Sequence, residues 1–100
     1  MKYRVVLQPD AEAEIAAAFQ FIGDRSAASA EAWLRGLYRL INTLEMFPRR
    51  CAIAPETKIV SVEVRQLLFG RGRNKYRIFF TIRGDEIHVL HVRHAARWKP

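Results

Sequence analysis

The sequence predicts an α+β domain in which an N-terminal helical hairpin packs on one face of an antiparallel sheet. Apolar residues recur at helical spacing through residues 9–47, and from Ile59 onward they alternate with a period of two. A short run rich in β-branched and aromatic residues precedes the first helix. The predicted element order is β-α-α-β-β-β, and the 100 residues are expected to form a single domain, residues 1–100.

The first two elements are a strand over Lys2–Leu7 and a helix that begins at Pro9. Proline is favoured at the first helical position, and the carboxylates that follow lie near the positive end of the helix dipole. The helix is predicted to end near Gly23. Its apolar face consists of Ala11, Ile15, Ala18, Phe19 and Ile22.

A second helix is predicted from a cap at Ser26 or Ser29 to Phe47, where Pro48 stops it. The few residues between the helices indicate an antiparallel hairpin, followed by a loop over residues 48–57. The apolar stripe of this helix consists of Ala30, Trp33, Leu34, Leu37, Ile41 and Leu44. We expect Trp33 to be largely buried between the hairpin and the sheet.

Three strands are predicted in the second half, at Ile59–Phe69, Lys75–Ile82 and Glu86–Val92. Glycine-containing turns at residues 70–74 and 83–85 connect them as an antiparallel meander. The middle strand carries apolar residues on both faces, which is typical of a central strand.

The chain is strongly basic, with 17 Lys and Arg against 10 Asp and Glu and a net charge of +7. Residues 51–100 hold ten of the basic and only four of the acidic side chains. This balance favours acidic partners, either nucleic acid or an acidic protein segment. A single cysteine excludes an internal disulfide and favours a reducing, cytoplasmic location, and no apolar run is long enough to span a membrane.

Neither a metal site nor a cofactor is predicted. Cys51 has no companion at ligand spacing, and we assign it no role. The histidines lie on one strand and its end, at His88, His91 and His94. Close to the cations Arg93 and Arg97, His91 and His94 could stay neutral and act as bases, but a structural role is the favoured reading of each histidine.

Basic residues concentrate on the predicted strands and turns, at Arg65, Arg71, Arg73, Lys75, Arg77, Arg93 and Arg97. If Arg65, Arg77 and Arg93 come from adjacent strands and point to one face, they form a concave anion site. A solvated face is the alternative, and it is favoured for the turn residues Arg71 and Arg73.

The order of several short motifs carries a family resemblance. They are Pro9-x-Ala11-x-x-x-Ile15, Leu44-x-x-x-Pro48, Val64-Arg65-Gln66-Leu67, Tyr76-Arg77-Ile78-Phe79-Phe80-Thr81-Ile82 and Val89-Leu90-His91-Val92-Arg93-His94-x-x-Arg97. Over nearly its whole length the chain resembles the RelE/ParE superfamily of small bacterial toxins from type II toxin–antitoxin systems. The resemblance implies a hetero-oligomer with an acidic, amphipathic antitoxin, which we expect to bury apolar surface beside the helical hairpin, although no antitoxin-binding residue is indicated.

The superfamily contains two activities, and the resemblance implies different roles for the same residues in each. In a RelE-like toxin that cuts messenger RNA in the ribosome, Arg65, Arg77 and Arg93 would stabilise the phosphorane, and His94 would be the acid or base. However, Glu63-x-Arg65 replaces the family's lysine pair, and the C-terminal tyrosine has no counterpart.

The long hairpin and the His91-x-x-His94 to Arg97 ending look more ParE-like. The resemblance therefore favours a poison of DNA gyrase that is not itself an enzyme. Its target- or anion-binding residues would be Arg65, Arg77, Arg93 and Arg97. The alternatives are a RelE-like ribosome-dependent endoribonuclease and a non-toxic nucleic-acid-binding module.

Overall fold

The computed structural model describes residues 2–96. Its helices and strands are β1 (Arg4–Leu7), α1 (Pro9–Gly23), α2 (Ala27–Asn42), β2 (Ala52–Ile53), β3 (Arg65–Phe69), β4 (Tyr76–Arg83) and β5 (Glu86–His94). Short 3-10 turns lie at Thr43–Glu45, Pro48–Arg50 and Pro55–Lys58. The predicted α+β class, with the helical hairpin ahead of the strands, is confirmed.

The strands form one sheet in the order β1-β5-β4-β3-β2. The pairs from β2 to β5 are antiparallel, as predicted for the second half of the chain. The first strand departs from the antiparallel pattern, because Val5 pairs with Ile87 and β1 runs parallel to β5. The sheet is therefore mixed, although mostly antiparallel.

The predicted strand that starts at Ile59 begins only at Arg65. Residues 59–64 instead belong to a loop that is closed by hydrogen bonds. The Thr57 hydroxyl accepts a hydrogen bond from the Val64 N–H and donates one to the Val64 carbonyl oxygen. The Ala54 N–H also donates to the Val64 carbonyl. This loop connects β2 to β3. The strand β2 has two residues and lies inside residues 48–57, the segment that the sequence predicts as a loop.

The second helix also ends earlier than predicted, at Asn42 rather than Phe47. Its start agrees with the sequence, because the Ser26 hydroxyl accepts a hydrogen bond from the Ser29 N–H at 3.1 Å. Neither α1 nor α2 is long and apolar enough to cross a membrane.

The main core lies between the helical hairpin and one face of the sheet. It contains Ala11, Ile15, Leu37, Ile41, Leu44, Ile78, Phe80, Ile87, Val89 and Val92. Trp33 is partly buried and packs against this core. Its ring centroid lies 5.1 Å from that of Tyr76 and 6.3 Å from that of Phe69.

The second face of the sheet, here called the open face, does not contact the hairpin core. Because side chains alternate along a strand, Arg77 and Phe79 of β4 point to this face, whereas Ile78 and Phe80 point to the core. The loop at residues 54–64 covers part of the open face, since Ala54 and Val64 pack against Phe79 in a second, smaller core.

Candidate functional site

Arg77 is the centre of a polar cluster on the open face. Its guanidinium donates to both carboxylate oxygens of Glu56, at 2.9 and 2.8 Å. It also donates twice to the amide oxygen of Gln66, at 3.0 and 2.7 Å, and lies 4.4 Å from the centroid of the Phe79 ring. A planar guanidinium suits this two-pronged pairing. Arg77 thereby ties the turn at Pro55–Lys58 to the sheet.

Glu56 is a buried carboxylate, with 7% of its surface exposed. Burial raises the pKa of Glu56, but hydrogen bonds from Arg77 and from backbone outweigh it, so the pKa is lowered from its ordinary value. Glu56 is therefore ionised at neutral pH, and it offsets the charge of Arg77.

Arg93 faces Arg77 across the paired strands, and it has a carboxylate partner of its own. The Arg93 Nε donates to Glu14 of α1 at 2.8 Å, and the His91 Nδ1 lies 3.2 Å from the same carboxylate. The other Glu14 oxygen accepts the Val92 N–H at 3.0 Å. The last residue pair between β1 and β5 joins Leu7 to Val89. Just beyond it, Glu14 provides the hydrogen-bond acceptor for a backbone N–H at the uncovered edge of β5.

Arg65 does not join Arg77 and Arg93. Gln66 reaches Arg77, so its neighbour Arg65 points to the hairpin side of the sheet. There the Arg65 guanidinium donates to the carbonyl oxygens of Cys51 and Arg49, at 2.7 and 3.2 Å, and it lies 3.1 Å from Glu63. The predicted shared face therefore brings together two of the three arginines.

His94 also lies on the hairpin side, because it pairs with Tyr76 at the end of β5. Its ring meets Tyr76 edge-on at 5.2 Å, and its Nδ1 accepts the Ala96 N–H at 3.2 Å. The sheet thus separates His94 from Arg77, whereas Arg93, at the edge of β5, lines one groove together with His94. Arg97, the remaining predicted binding residue, lies outside the described residues.

His88 is hydrogen-bonded to neighbouring side chains, and Cys51 is a buried free thiol. The two ring nitrogens of His88 lie 2.7 Å from Gln8 Nε2 and 2.9 Å from Glu86 Oε1. Burial raises the pKa of the Cys51 thiol, and this effect outweighs the lowering by the charges of Arg50 and Arg65. The raised pKa keeps the thiol neutral and makes it a weak nucleophile. Within residues 2–96 no group of three His, Cys, Asp or Glu side chains could hold a metal ion.

An apolar groove lies beside the polar cluster on the open face, with a volume of about 330 Å³. It is lined by Glu56, Ile59, Val60, Val62, Val64, Phe79, Leu90 and His91. Three of the aliphatic side chains reach far into solvent, with Ile59 71% exposed, Val60 46% and Val62 43%. Clustered exposed apolar side chains of this kind mark an interaction surface.

The sequence did not single out Glu14, Glu56 or the groove. Glu14 belonged to a run of carboxylates near the start of the first helix, and Glu56 stood in a predicted loop. The residues from Ile59 to Val64 alternate like a strand, and this concealed a loop with exposed apolar side chains. Only the tertiary contacts distinguish these roles.

The hairpin, the mixed sheet and the open groove define a small basic α+β protein built to contact other macromolecules. Residues 5–98 match the family described as the ParE toxin of the type II toxin–antitoxin system parDE. The chain therefore belongs to the ParE toxin family and is a toxin of a type II system. This confirms the resemblance found in the sequence.

A solved structure that shares the fold is the chromosomal ParDE toxin–antitoxin system from P. aeruginosa. It aligns with a TM-score of 0.76 at 18% sequence identity, covering 93% of this chain and 96% of that chain. No curated protein sequence matches this chain.

Proposed function

We propose that this toxin poisons DNA gyrase by binding it, and that an acidic antitoxin holds the toxin inactive. The observation that carries the proposal is that the sheet separates His94 from Arg77, while Arg93, which lies near His94, is bound to Glu14. Cleavage of RNA requires an acid or base and several cations around one phosphate. In this chain Arg77 lies on the face opposite His94, and the guanidinium of Arg93, beside His94, is bound to Glu14.

The arginine partners support the same proposal. Arg77 is neutralised by Glu56, Arg93 by Glu14, and Arg65 is bound to two backbone carbonyls. A phosphorane would have to displace these contacts before it could use the cations. Action through a binding surface requires no such exchange.

The apolar groove is the surface that we propose for the antitoxin. Its exposed aliphatic side chains fit the apolar face of an amphipathic segment, and acidic residues on that segment would complement the net charge of +7. On the hairpin, which the sequence favoured for this contact, Phe21 is 41% exposed and Tyr38 36%, against 71% for Ile59, 46% for Val60 and 43% for Val62 at the groove.

The test compares purified gyrase with a translation extract. We expect the toxin to make gyrase accumulate cleaved DNA and to leave translation unaffected at any dose. Cleavage of messenger at defined codons in the ribosome, with normal supercoiling, would instead identify a RelE-like endoribonuclease. Tight shifts of naked DNA or RNA without growth inhibition would identify a nucleic-acid-binding module.

His94→Ala separates the two toxin activities further. A gyrase poison should keep its potency in this variant, because His94 contributes only packing against Tyr76 and one local hydrogen bond from the Ala96 N–H. An RNA-cleaving enzyme that used His94 as acid or base would lose about 10²- to 10⁴-fold in rate. Antitoxin binding by the variant serves as the folding control in both assays.

A further inference from the structure

Phe47 has an unusual backbone conformation. Its φ of 52° and ψ of 53° lie in the left-handed region. Among residues 2–96 it is the only non-glycine residue with a positive φ. A side chain with a Cβ is disfavoured there, and glycine or asparagine is the usual occupant.

The surrounding chain fixes this conformation. The Arg50 guanidinium donates to the carbonyl oxygens of Met46 and Phe47, at 3.0 and 3.2 Å. It also donates to the Thr43 hydroxyl at 2.7 Å. The next residue, Pro48, is fully buried, so the turn is attached to the protein interior on that side. The Phe47 side chain is therefore exposed on a turn that the Arg50 hydrogen bonds hold.

Burial does not compensate for this conformation. Phe47 is 73% exposed, the highest value among the large apolar side chains of residues 2–96, and Met46 beside it is 46% exposed. Strained residues persist where the surrounding structure imposes them, and they concentrate at functional sites. For folding alone, asparagine would serve better than phenylalanine at this position.

Positive charge surrounds the pair formed by Met46 and Phe47, here called the apolar tip. Arg49 and Arg50 follow after Pro48, and the carboxylate of the preceding residue, Glu45, lies 3.2 Å from Lys2. The Arg49 guanidinium donates to the Tyr3 hydroxyl at 3.0 Å and forms no ion pair within the described part of the chain. The tip is thus apolar at its centre and cationic at its rim.

This composition fits a protein partner better than a nucleic acid. Phenylalanine, methionine and arginine are enriched at the centres of protein interfaces. Nucleic acid would use the aromatic ring for stacking and the arginines for phosphates, but the Arg50 guanidinium is already bound to Thr43, Met46 and Phe47. Burial of an exposed ring also requires a preformed pocket, which a folded partner offers and an amphipathic segment does not.

We propose that the apolar tip inserts into an apolar pocket, rimmed by carboxylates, on the folded protein that this toxin poisons. The inference rests on the proposed function. It assigns target and antitoxin to separate surfaces, because the residues of the tip and those that line the apolar groove do not overlap.

The experiment uses Phe47→Asn in the full chain. Asparagine tolerates the left-handed region, so the melting temperature should rise by about 4 °C. Loss of a central apolar anchor should weaken inhibition of purified gyrase by at least about 30-fold, and growth inhibition should fall in parallel. Antitoxin affinity should stay unchanged. Phe47→Tyr keeps the ring and should keep most of the potency, and Tyr38→Gln removes an exposed aromatic residue elsewhere as the matched control.

Each outcome separates this inference from the proposed function. If wild type inhibits growth and Phe47→Asn is equally potent, the tip does not bind the target and the inference is overturned. If Phe47→Asn loses antitoxin affinity instead, the tip belongs to the antitoxin interface, which also overturns it. If wild type inhibits growth but never affects gyrase, the gyrase proposal fails, and growth inhibition alone then decides the role of the tip. A harmless wild-type chain overturns both.

Discussion

Arg77 resembles a catalytic arginine in the sequence, but in the structure its side chain links separate segments of the chain. Its guanidinium holds Glu56 and Gln66, which lie on two different segments of the chain, and it covers the Phe79 ring. Removal of either member of such a buried pair leaves the other charge without its partner, which costs more than the pair itself contributes. At this scale, the partners of a side chain decide its role.

The first prediction concerns Glu56→Gln, which keeps the shape of the side chain and removes its charge. We expect the free energy of unfolding to fall by about 2 kcal/mol at neutral pH, because Arg77 loses charged hydrogen bonds. Urea denaturation measures the change. Glu31→Gln is the matched control, since that carboxylate is exposed and lies 4.0 Å from Arg35.

The same variant has a defined pH dependence. The folded pKa of Glu56 is lowered, so its contribution is full above the unfolded pKa, which is about 4.3. It declines as the pH falls toward the folded pKa. The difference in stability between wild type and Glu56→Gln should therefore be larger at pH 7 than at pH 3, and an equal difference at both would contradict the assignment.

The second prediction concerns Trp33, which is partly buried between the rings of Phe69 and Tyr76. Trp33→Ala should cost about 3 kcal/mol, the lower end of the range for aromatic deletions, because part of the ring is exposed. The buried Nε1 of Trp33 has no hydrogen-bond partner within residues 2–96. Trp33→Phe should consequently cost much less, and equal melting temperatures for the two variants would contradict this view.

At the scale of elements, Glu14 connects α1 to β5. Beyond Leu7 the first strand no longer covers the edge of β5, and the Glu14 carboxylate takes over by accepting the Val92 N–H. One side chain thereby serves as a substitute for a neighbouring strand. It also sets the position of Arg93, which reaches the same carboxylate.

The third prediction is that Glu14→Ala frays the end of β5. Amide exchange at Val92 should accelerate about 10-fold or more, which corresponds to the loss of a hydrogen bond to a charged group. Nuclear magnetic resonance can follow this single amide. Glu12→Ala, in an exposed position on the same helix, should leave Val92 unchanged. Equal exchange in both variants would show that another group protects the edge.

The sequence predicted the elements that its local pattern defines. The 3.6-residue stripes of α1 and α2 and the glycine turns around β4 were visible without tertiary information. The parallel pairing of β1 with β5 was not, because alternation gives no direction and the two strands lie about eighty residues apart. The same limit applies to the site, since the carboxylate partners Glu14 and Glu56 come from distant segments.

At the scale of the whole molecule, the net charge and the apolar groove should control different phases of antitoxin binding. A charge of +7 acts over a Debye length and speeds the encounter with an acidic partner. Apolar contacts form only after docking, so they determine mainly how slowly the complex dissociates. The two contributions can therefore be measured separately.

The fourth prediction uses this separation to locate the antitoxin. The association rate should fall at least about tenfold between about 50 and 500 mM salt, for wild type and for Ile59→Ser alike. Ile59→Ser should raise the dissociation rate about tenfold, because it removes an exposed apolar contact of the groove. Tyr38→Ser changes the hairpin surface instead and should leave dissociation unaffected. The reverse result, with faster dissociation for Tyr38→Ser and none for Ile59→Ser, would place the antitoxin beside the hairpin, where the sequence alone had favoured it.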